Sequence, residues 1–312
     1  MSKIEIAAVG AQRPFVAEAL EREFILHKVF DVPDIKAALG PAAERIRGAV
    51  GNGMAGLSTA AIEAMPNLEI CAINGVGLET TDLALAKKRG IVVATAPVLY
   101  DDVSDTGIIL AMAACRRIVQ ADRFVRSGQW LQGRMPPAQK FSGKRAGIVG
   151  LGRIGVALAQ RLQGFNMTIG YYDPLPKAGM PYQAYGSVVE LAQNSDILFL
   201  SAAGGQTPGH IITAEALDAL GPKGVFVNVA RGWLVDEPAL IDALKTGRLG
   251  AAGLDVFERE PHVPEALLEL DNVVLTPHIA SSTVETQQAM GDCVLENIRS
   301  WFAGKGAITP VA

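Results

Sequence analysis

This chain of 312 residues has only four histidines, and one of them, His278, lies in "LTPHIASS", just past the apolar run "NVVL". A proline stops the strand signal directly before it, so the imidazole belongs to a turn at a strand end. Histidine gives or takes a proton near neutral pH, which suits reduction of a ketone in one direction and oxidation of an alcohol in the other. Two more segments follow apolar strand signals in the same manner: "NVARGWLVDEPAL" supplies Arg231, and "GLDVFEREP" supplies Asp255, Glu258 and Glu260. A guanidinium presents a planar fork that clamps a carboxylate and polarises the neighbouring carbonyl. A carboxylate beside imidazole stabilises the imidazolium and holds the ring. Glu260 is the candidate and Glu258 its rival. Taken singly, each residue has a plain structural explanation. His278 can be a capped loop histidine, Arg231 a turn arginine, Glu260 a solvated charge, and Asp255 a buried acid accepting backbone hydrogen bonds. Their order and their shared strand-end placement favour one common task.

Upstream, "RAGIVGLGRIGVALAQRL" sets Gly150, Gly152 and Gly155 in G-x-G-x-x-G spacing between a strand signal and a helix signal. The first glycine permits a tight turn, the second lets backbone approach a pyrophosphate, and the third lets helix pack on strand. The amides of Arg153 and Ile154 then stand at a helix N-terminus, where unsatisfied N–H groups and the dipole attract anions. The next strand signal, "MTIGYYD", ends on Asp173, 23 positions after Gly150 (173 − 150), the right distance for an acid that holds adenosine ribose hydroxyls. A carboxylate there repels a 2′-phosphate and no arginine follows it closely, so NAD is favoured over NADP.

The elements that must position these residues alternate along the chain. Strand signals occur at "KIEIAAV", "IRGAV", "LEICAI", "GIVVA", "RAGIVG", "MTIGYYD", "DILFLS", "GVFVNV", "GAAGLDV" and "NVVLTP", with helical segments such as "STAAIEAM", "RIGVALAQRLQGF" and "EPALIDALKTG" between them. Several strands are apolar at every position, as strands covered on both faces must be. The expectation is an α/β protein with two Rossmann- or flavodoxin-like, doubly wound parallel-sheet domains and a cleft between them. Two long helices, Asp101 to Gly128 and Ser282 to Lys305, read as the crossings. They divide the chain into a substrate-binding domain, 1–98 plus 284–312, and a nucleotide-binding domain, 99–283.

Composition narrows the function classes. Apolar residues at 49% and charged residues at 19% fit a globular protein and not a disordered one. The net charge of −4, with no basic block, gives nucleic-acid binding no support. Cys71, Cys115 and Cys293 are far apart and form no CxxC, so they read as three reduced thiols of a cytoplasmic protein, with no metal site implied. The N-terminus "MSKIEIAAVG" reads as a first strand and not a secretory signal, and no apolar run reaches the roughly 18 residues of a membrane helix.

Together these segments resemble the D-isomer-specific 2-hydroxyacid dehydrogenases, above all their glyoxylate and hydroxypyruvate reductases. The spacings 260 − 231 = 29 and 278 − 260 = 18 fit the Arg, Glu and His of that family, which selects Glu260 over Glu258. The resemblance implies reduction of a short 2-oxo acid by hydride from NAD(P)H. Arg231 would bind the substrate, His278 would donate the proton, and Glu260 would be its partner. It also implies that Asp255 holds the nicotinamide carboxamide, with the backbone around Val229, Ala230, Ala280 and Ser281. Thr106 would stand near the cofactor phosphates and Ala202 and Ala203 near the adenine. "NGVGLETTDL" is similar to the family's substrate loop, where the amides of Val76 and Gly77 would receive the carboxylate, Val76 also bordering the cofactor. "GNGMAG" would place Met54 beside the substrate.

This chain departs from the family pattern at Leu78 and Glu79, where many members have Tyr and Asp, and "LSAAGGQT" lacks the proline common after that strand. No extra C-terminal regulatory domain is expected. The resemblance further implies a homodimer joined through the nucleotide domain, with the helix from Asp101 and its "SGQW" end (Trp130) similar to the dimer-forming region. Two rivals stand beside this reading: a nucleotide-sensing, corepressor-like binding protein, and a formate- or phosphite-type dehydrogenase on the same fold. Formate enzymes of this type carry glutamine where Glu260 stands, which weighs against that version.

Overall fold

The computed structural model describes residues 3–175, 177–204 and 209–311. Of the segment "LSAAGGQT", the last three residues lie outside the described set. The chain divides into two compact units, Met1–Leu99 with Thr283–Ala312, and Tyr100–Ser282.

The first unit begins with β1 (Glu5–Ala8), α1 (Pro14–Glu23), β2 (Ile25–Lys28), α2 (Ile35–Leu39), β3 (Ile46–Asn52), α3 (Thr59–Ala64), β4 (Ile70–Asn74), α4 (Leu83–Lys88) and β5 (Val92–Thr95). Its five strands are all parallel in the order β2-β1-β3-β4-β5. Side-chain oxygens set the helix starts. Ser58 accepts from the Ala61 amide and Asp82 from the Leu85 amide, each satisfying an amide that the first helical turn leaves open. Apolar clusters cover both faces of the sheet, one around Ala49, Ile62 and Ile73 and the other around Ile6, Leu20 and Ile298.

The second unit runs through α5 (Tyr100–Arg116), α6 (Ile118–Arg126), β6 (Arg145–Val149), α7 (Arg153–Gln163), β7 (Thr168–Tyr172), β8 (Gln183–Ala184), α8 (Val188–Gln193), β9 (Ile197–Leu200), α9 (Ala214–Leu220), β10 (Val225–Asn228), α10 (Glu237–Lys245), β11 (Ala251–Leu254), α11 (Glu265–Leu268) and β12 (Val273–Leu275). Seven parallel strands lie in the order β12-β11-β10-β9-β6-β7-β8. The interior strands β9, β10 and β11 are buried at every residue, as a sheet covered on both faces requires. α12 (Val284–Phe302) returns to the first unit, its start capped by Thr283.

The two parallel α/β sheets are as the sequence led us to expect, with corrections to single elements. The helix read as continuous from Asp101 to Gly128 breaks at Arg117, whose φ of 52° is left-handed, into α5 and α6. The Gln139 amide takes the Cys115 carbonyl near this break. Strands β2 and β8 were not anticipated. β2 is a part-exposed edge strand containing a histidine and a lysine, and β8 has only two residues. The cysteines are unpaired, and burial pushes the Cys71 thiol up to about 12. Among the described residues, no helix is long and apolar enough to cross a membrane and no group of three or more His, Cys, Asp or Glu could hold a metal ion.

Candidate active site

Strand register in the second unit brings six carboxyl ends into one row. Tyr172, Val149, Leu200, Asn228, Leu254 and Leu275 stand opposite one another in successive pairs across β7, β6, β9, β10, β11 and β12. Five strand spacings make a ledge about 24 Å long. Every site residue proposed from the sequence for this unit, apart from Thr106 on α5, lies on a segment leading away from the carboxyl end of one of these strands, where open α/β sheets bind ligands.

The glycines of the β6–α7 loop have three different physical reasons. Gly150 has a φ of 89°, and a Cβ there would come within 2.5 Å of the Ala202 Cα. A Cβ on Gly155 would collide with the Gly150 carbonyl oxygen, so helix and loop can meet only at glycine. A Cβ on Gly152 would meet nothing within 4 Å. Gly152 is also the N-cap of α7 and has no side chain to cap the helix, so the amides at the start of α7 face open space. Ser201 holds the loop from the next strand, its hydroxyl donating to the Gly150 carbonyl at 2.9 Å. Asp173 holds it from the other side. One carboxylate oxygen accepts from the Leu151 amide at 2.9 Å and the other from the Leu175 amide at 3.0 Å. An open, uncapped helix start beside a fixed carboxylate on the adjacent strand fits a dinucleotide. The Arg153 side chain donates to the Tyr100 hydroxyl and its guanidinium carbon lies 5.2 Å from that ring's centroid. Ala202 is half-buried and Ala203 exposed.

At the other end of the ledge His278 and Glu260 are brought together. Nδ1 of His278 lies 2.6 Å from Oε2 of Glu260, and the histidine side chain keeps 44% of its surface exposed. The second oxygen of Glu260 accepts from the Phe257 amide at 3.1 Å, which fixes the carboxylate against its own loop. His278 adopts a φ of 52°, a left-handed conformation that is uncommon outside glycine. Asp255 holds that conformation in place. Its carbonyl accepts from the His278 amide at 2.8 Å. Its fully buried carboxylate accepts from the Thr276 hydroxyl at 2.7 Å and from the Ile279 and Ala280 amides at 2.9 Å each. Asp255 is thus the buried strand-end acid that the sequence left open beside its cofactor role. Thr106, on α5, reaches the same turn, its hydroxyl 3.4 Å from the Ala280 carbonyl. Ser281, next in the chain, is half-buried.

Arg231 follows β10 and is half-buried, with Nη1 donating to the Ala230 carbonyl at 2.7 Å. Its backbone is held by Asn228, whose amide nitrogen donates to the Arg231 carbonyl at 3.0 Å and whose oxygen accepts from the Ala230 amide at 2.9 Å. Val229 and Ala230 are buried, so this turn presents only backbone. The sequence reading passed over Asn228, Gly232, Glu237, Thr276 and Ser201. An Asn at a strand end before a turn is a signal that was available, because its side chain readily bonds the backbone two residues on. The others act through tertiary approach and left no pattern to read.

The loops of the first unit form their own set. Asn52 and Asn74 are register partners at the ends of β3 and β4. Asn52 accepts from the Met54 and Ala55 amides at 2.9 and 2.8 Å, which turns the chain so that Met54 stands 76% exposed. Gly75 takes a φ of 125°, its carbonyl accepts from the Ala96 amide at 2.8 Å, and Val76 and Gly77 follow, half-buried and buried. Leu78 packs on the apolar cluster behind β4, so the residue that departs from the family's tyrosine serves the core, while Glu79 is exposed.

Comparison with known proteins places this architecture. The family model described as D-isomer specific 2-hydroxyacid dehydrogenase, NAD binding domain, matches residues 108–280. Hydroxyphenylpyruvate reductase of Plectranthus scutellarioides and glyoxylate/hydroxypyruvate reductase A of Arabidopsis thaliana are each 46% identical over 312 residues, all of this chain and all of theirs. The solved 2-hydroxyacid dehydrogenase of Ketogulonicigenium vulgare Y25 is 42% identical with a TM-score of 0.94, covering 100% of this chain and 99% of that one. The NADPH-dependent glyoxylate/hydroxypyruvate reductase of Sinorhizobium meliloti, solved with NADP and malonate, is 39% identical with a TM-score of 0.93, covering 100% and 97%. The chain belongs to the D-isomer specific 2-hydroxyacid dehydrogenase family and is an oxidoreductase.

Proposed function

We propose that this enzyme reduces a short 2-oxo acid, glyoxylate or hydroxypyruvate, to the D-2-hydroxy acid, with NADH as its preferred reductant. The observation that carries the reading is the 2.6 Å His278–Glu260 pair on segments that follow β12 and β11, next in the sheet to β10, which leads into Arg231. A bound nicotinamide dinucleotide supplies the hydride. Ionised Glu260 only accepts hydrogen bonds, so Nδ1 carries the proton between them and Nε2 is left for the substrate. In reduction Nε2 gives its proton to the oxygen forming at C2 while the Glu260 charge steadies the imidazolium. In oxidation Nε2 takes the proton back. Arg231 clamps the substrate carboxylate and polarises the carbonyl. In the loops of the first unit, the amides of Val76 and Gly77 are suited to receive a carboxylate, and Met54 to border a substituent.

On the cofactor side the loop from Gly150 to Gly155 and the amides of Arg153 and Ile154 take the pyrophosphate, with Thr106 near it. Ala202 and Ala203 flank the adenine. The backbone of Val229, Ala230, Ala280 and Ser281 serves the carboxamide end; the expected direct role of Asp255 there is replaced by a positioning one, because its fully buried carboxylate holds the turn that carries Ala280. On this reading residues 99–283 form the nucleotide domain, and residues 1–98 with 284–312 form the substrate domain. Asp173 favours NADH because two backbone amides hold its carboxylate where a 2′-phosphate would be repelled. Steady-state comparison of the two reductants tests this point, and a preference for NADPH overturns it. The exposed apolar side chains of Ile118, Val125, Trp130 and Leu131 support a homodimer through the nucleotide domain, and the unpaired cysteines support a cytoplasmic enzyme.

A second substrate reading rests on the equal identity to the hydroxyphenylpyruvate reductase. A steady-state panel of glyoxylate, hydroxypyruvate and hydroxyphenylpyruvate with NADH and NADPH decides between them. Turnover of the small acids supports the first reading. Nucleotide binding without turnover of any 2-oxo acid contradicts both and favours a nucleotide-sensing binding protein.

A further inference from the structure

We infer that Glu237 is a positioning residue that fixes the Glu260 segment to the Arg231 segment and so sets where the His278–Glu260 pair stands relative to the guanidinium. The inference rests on the roles proposed above for Arg231, Glu260 and His278. Arg231 and Glu260 follow different strands, β10 and β11, and each loop has its own freedom to drift. Two features on the α10 side of the Arg231 turn remove that freedom. At Gly232, directly after Arg231, an added Cβ would fall inside the Phe257 carbonyl group and against the Glu258 nitrogen, so the two backbones touch there. Five residues further on, Glu237 is 8% exposed, and its Oε2 accepts from the Glu258 amide at 3.2 Å. The neighbouring amide, that of Phe257, is the one bound by Glu260 itself at 3.1 Å. Two consecutive N–H groups of the acid-bearing loop are thus held by two carboxylates, one reaching out to His278 and one anchoring the loop from behind.

The anchor is itself fixed. Glu237 opens α10, whose start is capped by Asp236 accepting from the Ala239 amide at 3.0 Å, and the Asp236 amide donates to the Ile212 carbonyl at 2.9 Å. The helix buries Leu240, Ala243 and Leu244 in the core. Burial of the carboxyl has a cost. Desolvation, with the Glu258 charge in support, pushes the Glu237 carboxyl above its usual range, against the opposing Glu258 amide and Arg259. The native chain therefore holds this proton more readily than the unfolded chain. Ionised Glu237 subtracts stability above its raised folded value, and that loss disappears as pH falls below the unfolded value. A neutral acceptor would hold the fold equally well. What the charge adds is a stronger bond to the Glu258 amide, since hydrogen bonds to ionised acceptors are roughly twice as strong as neutral ones.

The test measures hydroxypyruvate reduction, NADH binding by fluorescence titration and thermal midpoint at pH 8 for E237Q, E237A, E260Q and the E237A/E260Q double variant. E237A is expected to lower kcat by about tenfold, no more than loss of the charge it positions, with NADH affinity within about twofold. E237Q is expected to lose about threefold in kcat while melting no lower than the wild type. In the E260Q background the same E237A change should cost less than about threefold, because the charge that Glu237 positions is already gone. Wild-type kcat in E237A, or an E237A cost undiminished in the E260Q background, overturns the inference. Should E237A fail to fold, wild-type kcat in E237Q overturns it instead. E260Q turning over at the wild-type rate is a separate failure. It removes the role proposed for Glu260 and the inference that rests on it.

Discussion

The carboxyl ledge of the second unit and the loops of the first unit are both built at strand ends, yet they are held in opposite ways. On the ledge each chemical group has redundant backbone support. Asp255 accepts four hydrogen bonds from the His278 turn, Asn228 bridges the Arg231 turn, and Glu260 is bound to its own loop as well as to His278. In the first unit, Asn52 shapes the turn, but the side chain it presents, Met54, stands 76% exposed and contributes nothing to the core. Groups that move protons and clamp charge tolerate little displacement, whereas a side chain that selects among substituents can yield. The contrast fits the proposed division, with reaction on the ledge and substrate choice in the loops.

That division predicts effects of very different size. On the role proposed for Arg231, Arg231→Ala removes two charge-assisted hydrogen bonds to substrate, and kcat/KM for hydroxypyruvate should fall about 10³-fold while NADH titration is little changed. A loss of less than tenfold would place the clamp elsewhere. Glu260→Gln keeps the hydrogen bond and removes the charge, so kcat should drop about tenfold. A kcat within about twofold of the wild type would assign the carboxylate's role to another residue. Met54→Ala should be the mildest, changing the preference between glyoxylate and hydroxyphenylpyruvate by about two- to tenfold, with kcat for the better substrate nearly kept. A collapse of turnover in this variant breaks the contrast, since it would make the loop part of the chemistry.

Much of the ledge was legible in the sequence because its signals are local. Gly150, Gly152 and Gly155 announce a loop by spacing, and Arg231, Asp255 and His278 each follow a short apolar run that can only be a strand. Residue type then suggested the chemistry. What stayed hidden depends on chain segments meeting in space. Glu237 reads in sequence as an ordinary acid in the first turn of a helix, and its bond to the Glu258 amide exists only after β10 and β11 pair. Gly232 reads as a turn glycine until Phe257 arrives against it. The break between α5 and α6 was invisible for a related reason, as Arg117 is not a residue type that signals a left-handed conformation. Leu78 shows the converse case. It stood out in the sequence as a departure from the family pattern, and in the structure it packs, partly buried, against an apolar cluster.

The most direct test of the central claim, that His278 is the proton donor on this ledge, is single-turnover reduction of hydroxypyruvate by pre-bound NADH in His278→Ala. The account predicts a rate about 10²–10⁴-fold below the wild type with NADH affinity unchanged. A rate within about threefold of the wild type would contradict it.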